Sequence, residues 1–316
     1  MLCALPESGC KYTKNNYLCN HITQNQTEMK KFLFLLCVLL LASCGTVRKV
    51  PATPVDLIVG NFNLRGDIDK GDNSWKMRRP RAVERIKAAN YDVFGTEECY
   101  GYMLEDLRSA IPEYEFYGQC TGDRTGTYSA FFYRKDRFDL VESGDFWFSP
   151  TPERISNGWG LNYLRICSWG RLREKGSGRE FYFFNTHLDN RGKKSVDEST
   201  ALRTKCATLL VSKIKELAGN APAILTGDLN AGPDSEAIRL LTENMQDAYL
   251  ATVTPPEGPV GTFHGYKPSY KNSSRIDYVL ASPDFEVRSY RCVDTDITEG
   301  HCASDHYSIT AKLVLK

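Results

Sequence analysis

The chain has 316 residues, 41% of them hydrophobic and 25% charged, with 40 Lys and Arg set against 39 Asp and Glu. That length holds one large domain or two ordinary ones, and the composition is that of a soluble globular protein with no sign of disorder. A formal charge of +1 excludes the basic surplus that a dedicated duplex-DNA binder carries.

In chain order, the first 44 residues read as processing signals. Residues 1–28 lie upstream of a better start at Met29 and read as a mis-called start, with a disordered extension as the alternative. Residues 29–44 combine the basic Met29-Lys30-Lys31, the apolar run Phe32 to Leu41 and the small-residue site Leu41-Ala42-Ser43-Cys44. This is a secretory signal, too short for an ordinary membrane span. Its ending resembles a bacterial lipobox, which implies an exported lipoprotein anchored to a membrane through Cys44 and facing the periplasm or the cell surface. Residues 45–54, with two Pro, read as a tether. Beyond Cys44 the charge balance is 36 against 37, and six Cys remain: Cys99, Cys120, Cys167, Cys206, Cys292 and Cys302. None has Cys-x-x-Cys spacing, which argues against zinc. Cys292 and Cys302 are near enough in sequence for a disulfide, although buried thiols are the favoured reading.

Residues 55–316 show no break or repeat and read as a single domain of mixed strands and helices. Asp56 to Asn63 is a first strand ending in polar residues. Arg81 to Asn90 has helical spacing, and Tyr91 to Glu98 is a buried strand that runs into acid. Tyr128 to Tyr133 and Phe138 to Val141 form a strand pair, and Asp145 to Ser149 and Arg165 to Arg171 continue the β-rich stretch. Phe181 to Leu188 is another strand with a polar end. Ser195-Val196-Asp197-Glu198 has the form of a capping box opening a helix stopped by Gly219. Ala223, Ile224 and Leu225 begin a strand buried on both faces, which ends in Gly227-Asp228-Leu229-Asn230. Alternation places Asp228 and Asn230 on one side of an extended chain. A short helix near Ser235 to Thr242 and two last strands, near Ile276 to Leu280 and Tyr307 to Leu315, complete the pattern.

Five strand ends carry functional-type side chains: Asn63, Glu98, His187, the pair Asp228 and Asn230, and Asp277. Ser304-Asp305-His306 precedes the last strand. Gathered at one rim, they make a cluster of carboxylates, amides and imidazoles that suits Mg²⁺ or Mn²⁺. Each also has a plainer reading. Asp228 and Asn230 are common turn residues, Glu98 is a solvated loop acid, Asp92 is a strand-end residue, and His187 is a core histidine. Asp277 is harder to dismiss, because it stands in an apolar run where an unpaired carboxylate is costly.

Together these segments resemble the endonuclease/exonuclease/phosphatase superfamily. Phe62-Asn63-Leu64-Arg65, Gly95-Thr96-Glu97-Glu98, Asn185-Thr186-His187-Leu188-Asp189, Thr226-Gly227-Asp228-Leu229-Asn230, Arg275-Ile276-Asp277-Tyr278 and Ser304-Asp305-His306 are similar to its motifs, in the same order. The resemblance implies a four-layered α/β sandwich, two packed mixed sheets flanked by helices. It implies Glu98, not Glu97, as a Mg²⁺ or Mn²⁺ ligand with Asn63 and Asp305. His187 would contact the substrate phosphate, and Arg165 resembles a phosphate-contacting Arg of some members. Thr127 stands where many members place an acid. The expected reaction is metal-assisted phosphoester hydrolysis. Asp228, helped by Asn230, positions or deprotonates water, and His306, oriented by Asp277, transfers a proton or stabilises the phosphate. The favoured substrate is a nucleic-acid phosphodiester, including 3′-to-5′ exonuclease action; a lipid or sugar phosphoester is the alternative. A tethered binding protein without catalysis is the rival from another class.

Overall fold

The computed structural model describes residues 53–316 apart from 123–125, 268–274, 294–296 and 299. The signal, its Cys44 and all but the last two residues of the tether lie outside the described residues. In chain order the elements are β1 (Val55–Asn63), α1 (Trp75–Ala89), β2 (Val93–Cys99), α2 (Gly101–Ala110), β3 (Tyr114–Tyr117), β4 (Tyr128–Arg134), β5 (Phe138–Trp147), β6 (Ile166–Glu174) and β7 (Glu180–His187). There follow α3 (Val196–Ala218), β8 (Ala223–Asp228), α4 (Glu236–Thr242), β9 (Gln246–Asp247), α5 (Ala248–Ala251), β10 (Asp277–Ala281), β11 (Phe285–Val293), β12 (Ile297–Thr298), β13 (His301–Cys302) and β14 (Ser308–Leu315).

Two six-stranded sheets result, ordered β11-β14-β1-β2-β4-β3 and β5-β6-β7-β8-β10-β9. β1 runs parallel to β2 and β7 parallel to β8, while the other pairs in these sheets are antiparallel. The sheets pack face to face through Val59, Val93 and Leu313 of one and Phe183, Ile224 and Val279 of the other. On the outer faces, α1 and α2 cover the first sheet with Ile86, Met103 and Leu107 against Phe62 and Phe94. α3 covers the second with Leu202, Cys206 and Leu210 against Phe184 and Leu225. This is the four-layered sandwich expected from the sequence.

The two-residue period of the strands carries the apolar interior directly into a polar end. The inward row of β1 reads Val55, Leu57, Val59, then Asn61 and Asn63. That of β7 reads Phe181 and Phe183, then Asn185 and His187; that of β10 runs from Ala281 and Val279 to Asp277. The same strands that build the core therefore deliver the polar side chains at one end of it.

Several elements differ from the sequence expectation. α1 starts at Trp75, not Arg81, and holds Pro80 inside it. Proline there removes one helical donor, but tertiary bonds hold the first turn: Trp75 N donates to Asp67 and its indole to Asp106. The two segments expected at Phe138 and Asp145 are one strand, β5, with a register shift between Leu140 and Glu142. β11 escapes a period-two reading because its register shifts between Val287 and Ser289. The capping box of α3 forms as expected, with Glu198 N donating to Ser195 Oγ and Ser195 N to Glu198 Oε2. The Cys292 thiol donates to the Gly261 carbonyl at 3.8 Å, and both Cys292 and Cys302 are buried thiols, not a disulfide.

Gly95 lies in the inward row of β2, where an added Cβ would sit 2.0 Å from Asn185 Oδ1 and 2.4 Å from Thr226 Oγ1 of the facing sheet. Gly95→Ala is therefore expected to destabilise the protein by about 1–3 kcal/mol, read as a lowered urea midpoint at constant m-value.

Candidate active site

At the polar end, register sets three side chains in a row across the second sheet. Asp228 lies opposite Asp277 on one side and opposite His187 on the other. The loop before β14 adds His306, whose Nδ1 is 2.9 Å from Asp277 Oδ2 and whose Nε2 is 3.7 Å from Asp228 Oδ2. From the first sheet, Asn63 Nδ2 donates to Asp228 Oδ2 at 3.0 Å. The expected residues Asn63, Glu98, His187, Asp228, Asn230, Asp277, Asp305 and His306 do converge. Arg165 stands beside them, lining the same cleft as His187 and Glu98.

Asn230 arrives by a different route from strand alternation. β8 ends at Asp228, and Asn230 takes a left-handed backbone with φ 48. Its N–H donates to Asp228 Oδ1 at 3.0 Å, so a tight turn points its amide sideways. Asn230 Nδ2 donates to Leu188 O, which fixes the amide so that the same nitrogen faces His187 Nε2 at 2.9 Å. His187 Nε2 also lies 3.3 Å from Asp228 Oδ2, so it stands between an amide nitrogen and a carboxylate oxygen.

A similar backbone device separates Glu97 from Glu98. The β2–β4 register shifts between Thr96 and Cys99, and Glu98 has φ 62. Glu97 stays in the inward row, fully buried, and accepts from Asn61 Nδ2 at 3.1 Å. Glu98 turns to the rim, where Asn63 Nδ2 and Gly66 N donate to it at 3.4 and 3.3 Å. Asn61 Nδ2 also reaches Asp277 Oδ1 at 3.4 Å, so one amide steadies two buried carboxyls.

Burial governs the titration of this group. It pushes the Asp228 carboxyl up to about 7, with the Asp277 charge adding and His306 opposing. Burial, then Asp277 and Asp228, hold Glu97 well above the usual carboxylate range. Burial works against a charged His306, but Asp277, Asp228 and Asp305 outweigh it and raise that imidazole well above its ordinary value. His187 goes the other way, lowered by burial and by the charges of Arg165 and His306.

Two places could hold a cation. Asp228, Asp277 and His306 offer ligand atoms within 4.8 Å of one another, but they are buried and already engaged with each other and with Asn63. Glu98 and Asp305 fit better. Both face a cation, because Arg65 Nη1 lies 4.0 Å from Glu98 Oε2 and 3.6 Å from Asp305 Oδ2. Their oxygens are the hard donors that Mg²⁺ or Mn²⁺ prefers. Asn63 reaches Glu98 through its nitrogen, while its oxygen accepts from Arg65 N at 3.0 Å.

Residues that sequence reasoning passed over support these groups. Asp189, buried, lies 3.6 Å from Arg165 Nε. Thr262 Oγ1 accepts from Asp277 N at 3.1 Å, and Ser304 Oγ donates to Asn63 O at 2.6 Å. Arg78, fully buried, donates to the carbonyls of Leu64, Arg65, Asn73 and Ala303, tying the loop after β1 to the loop before β14. Its place on the Trp75–Ala82–Ile86 stripe of α1 was the available signal: a charge at a buried helical position needs partners. Asp92, at the far end of β2, accepts from Ile58 N and Arg137, and is structural.

With this geometry in place, comparison with known proteins is informative. Residues 60–306 match the model of the Endonuclease/Exonuclease/phosphatase family, and the chain belongs to that family. A family protein of known structure from Bacteroides thetaiotaomicron is 35% identical, with 84% of this chain and 99% of that chain covered and a TM-score of 0.75. A mannosyl-6-phosphatase from Bacteroides thetaiotaomicron is also 35% identical, covering 81% of this chain and 99% of that one at a TM-score of 0.73. An uncharacterized protein of Acanthamoeba polyphaga mimivirus is 26% identical over 166 residues, 49% of this chain; the match spans only 59% of that relative's length.

Replacing Arg78 by Met leaves at least two buried carbonyls, Leu64 O and Ala303 O, without their donor. The expected cost is about 3 kcal/mol or more, measured by chemical denaturation.

Proposed function

We propose that the protein is a divalent-metal-dependent phosphoester hydrolase whose substrate is a phosphorylated sugar. The observation that carries the reaction class is the chain Asp277–His306–Asp228, at 2.9 and 3.7 Å, beside the cation-facing pair Glu98 and Asp305. In this reading Glu98 and Asp305, with Asn63 next to them, hold Mg²⁺ or Mn²⁺. The bound ion supplies charge stabilisation at a phosphate oxygen.

The chain's own residues do the rest. Arg165, facing Asp189, and His187 receive the phosphate. His306, held between Asp277 and Asp228, stabilises the oxygen charge that develops as the ester bond breaks and gives a proton to the departing sugar oxygen. Asp228, its carboxyl pushed up to about 7, is the base that accepts the water proton. Asn230 holds the turn and His187 in place.

Support for a sugar phosphate over a nucleic acid comes from three sides. The chain is 35% identical to a mannosyl-6-phosphatase over nearly all of that protein. The charge balance lacks the surplus that polyanion binding draws on. The cleft beside Arg165 and His187 is about 230 Å³, small for an extended polymer. The lipid anchor at Cys44 belongs to the same proposal and places the enzyme outside the cytoplasm. Cys44→Ala should move the protein from the membrane to the soluble fraction of expressing cells.

The test compares turnover of mannose 6-phosphate, bis-p-nitrophenyl phosphate and a short RNA by residues 48–316 with Mg²⁺. Monoester release that EDTA abolishes and Mg²⁺ restores is the expected result. Asp228→Asn is expected to lower kcat by about 10²–10⁴. Diester cleavage alone would move the protein to the nucleases, and near wild-type turnover by Asp228→Asn would refute the assigned base.

A further inference from the structure

Tyr163 is an aromatic residue at the mouth of the phosphate-binding cleft. It is 41% exposed, and the Arg165 guanidinium lies 5.4 Å from its ring centroid. The cleft that Tyr163 lines also takes in Arg165, His187 and Glu98, with Tyr100, Thr127 and Asn190 among its walls. An exposed aromatic edge next to a phosphate position needs an account, because the ring could have packed inward.

The ring is held by more than its own contact with Arg165. Asn162, the residue before it, donates from its backbone N to Asp189 Oδ2 at 2.8 Å and from Nδ2 to Asn190 O at 2.7 Å. Arg165, two residues after it, faces the other oxygen of the same carboxylate at 3.6 Å. Asp189 is buried at the end of β7. One carboxylate therefore hydrogen-bonds the backbone before Tyr163 and faces the phosphate-binding Arg as an ion pair. The backbone that carries the ring and the Arg beside it are thus anchored to one buried residue, an arrangement that suits a selective binding platform.

We infer that Tyr163 is the specificity-determining residue for the sugar, receiving one face of the hexose ring while the phosphate rests on Arg165 and His187; this rests on the phosphoester-hydrolase reading above. The C–H groups on a pyranose face carry partial positive charge and meet the negative π face of an aromatic ring. Asn190 and Thr127 line the same cleft with polar groups suited to ring hydroxyls. The size of the cleft, about 230 Å³, is below the usual range for drug-sized ligands and suits one six-membered ring. A nucleoside monophosphate, with a base beyond its sugar, is the larger alternative.

The experiment measures kcat/KM of wild type, Tyr163→Ala and Tyr163→Phe on mannose 6-phosphate, glucose 6-phosphate, glycerol phosphate and adenosine 5′-monophosphate, all with Mg²⁺. Glycerol phosphate has the same phosphate group and no ring. In Tyr163→Ala the preference for hexose phosphates over glycerol phosphate is expected to fall about tenfold; Tyr163→Phe should keep it. An equal loss on both substrates, or a wild type with no hexose preference, overturns the role of Tyr163. So does a loss confined to the nucleotide. If wild type hydrolyses none of the four monoesters, the sugar-phosphatase reading fails first and the inference falls with it.

Discussion

Ionisable groups in a space between two sheets are the constraint that shapes this protein. Glu97, Asp228, Asp277 and His306 are each at most 4% exposed, in surroundings where an isolated charge is very costly. None stands alone. His306 offsets Asp277 and Asp228, Asn61 serves both Glu97 and Asp277, and burial pushes the Glu97 carboxyl well above its ordinary range. Take away His306 and two buried carboxylates, Asp277 and Asp228, lose the positive group between them. The site and the core are consequently one packing problem, solved by rows of residues that change from apolar to polar along the same strands.

That arrangement divides the polar end into two regions with different relations to solvent. The interior region is buried and holds the proton-handling groups, Asp228, Asp277 and His306. The outer region, with Glu98, Asp305 and Arg65, opens to the cleft and has oxygen ligands to offer a cation. Asn63 touches both, through Asp228 on one side and Glu98 on the other. Arg78 and Ser304 hold the two loops that frame the boundary, so the spacing between proton-handling and cation-facing groups is a property of the scaffold.

Much of this was legible in the sequence because strand ends repeat one pattern. A run of alternating apolar residues that stops in Asn, Asp or His announces both the strand and the direction of its last side chains. Asn63, His187, Asp228 and Asp277 are readable on that ground. What resisted reading were departures from regular period. Only the register shift in β2 explains why Glu98 turns outward while Glu97 stays in, and only the left-handed turn explains how Asn230 reaches His187. Asn61 and Glu97 look like ordinary strand residues until the facing sheet is in place. α1 was read too short because helical spacing is plain only from Arg81 on, whereas Asp67 and Asp106 hold its first turn from a distance.

The direction of β1 has a consequence for how the protein can be held. Val55 opens the strand and pairs with Leu315, so the two ends of the described chain are neighbours. Asn63 closes the same strand at the polar rim, eight residues on and about 26 Å away at strand rise. A linkage made through residue 53 therefore grips the sandwich at the end opposite the cleft, whatever lies on the other side of that linkage. The full length of a strand separates the point of attachment from the point of reaction, and a support attached there leaves the cleft open to molecules arriving from solution.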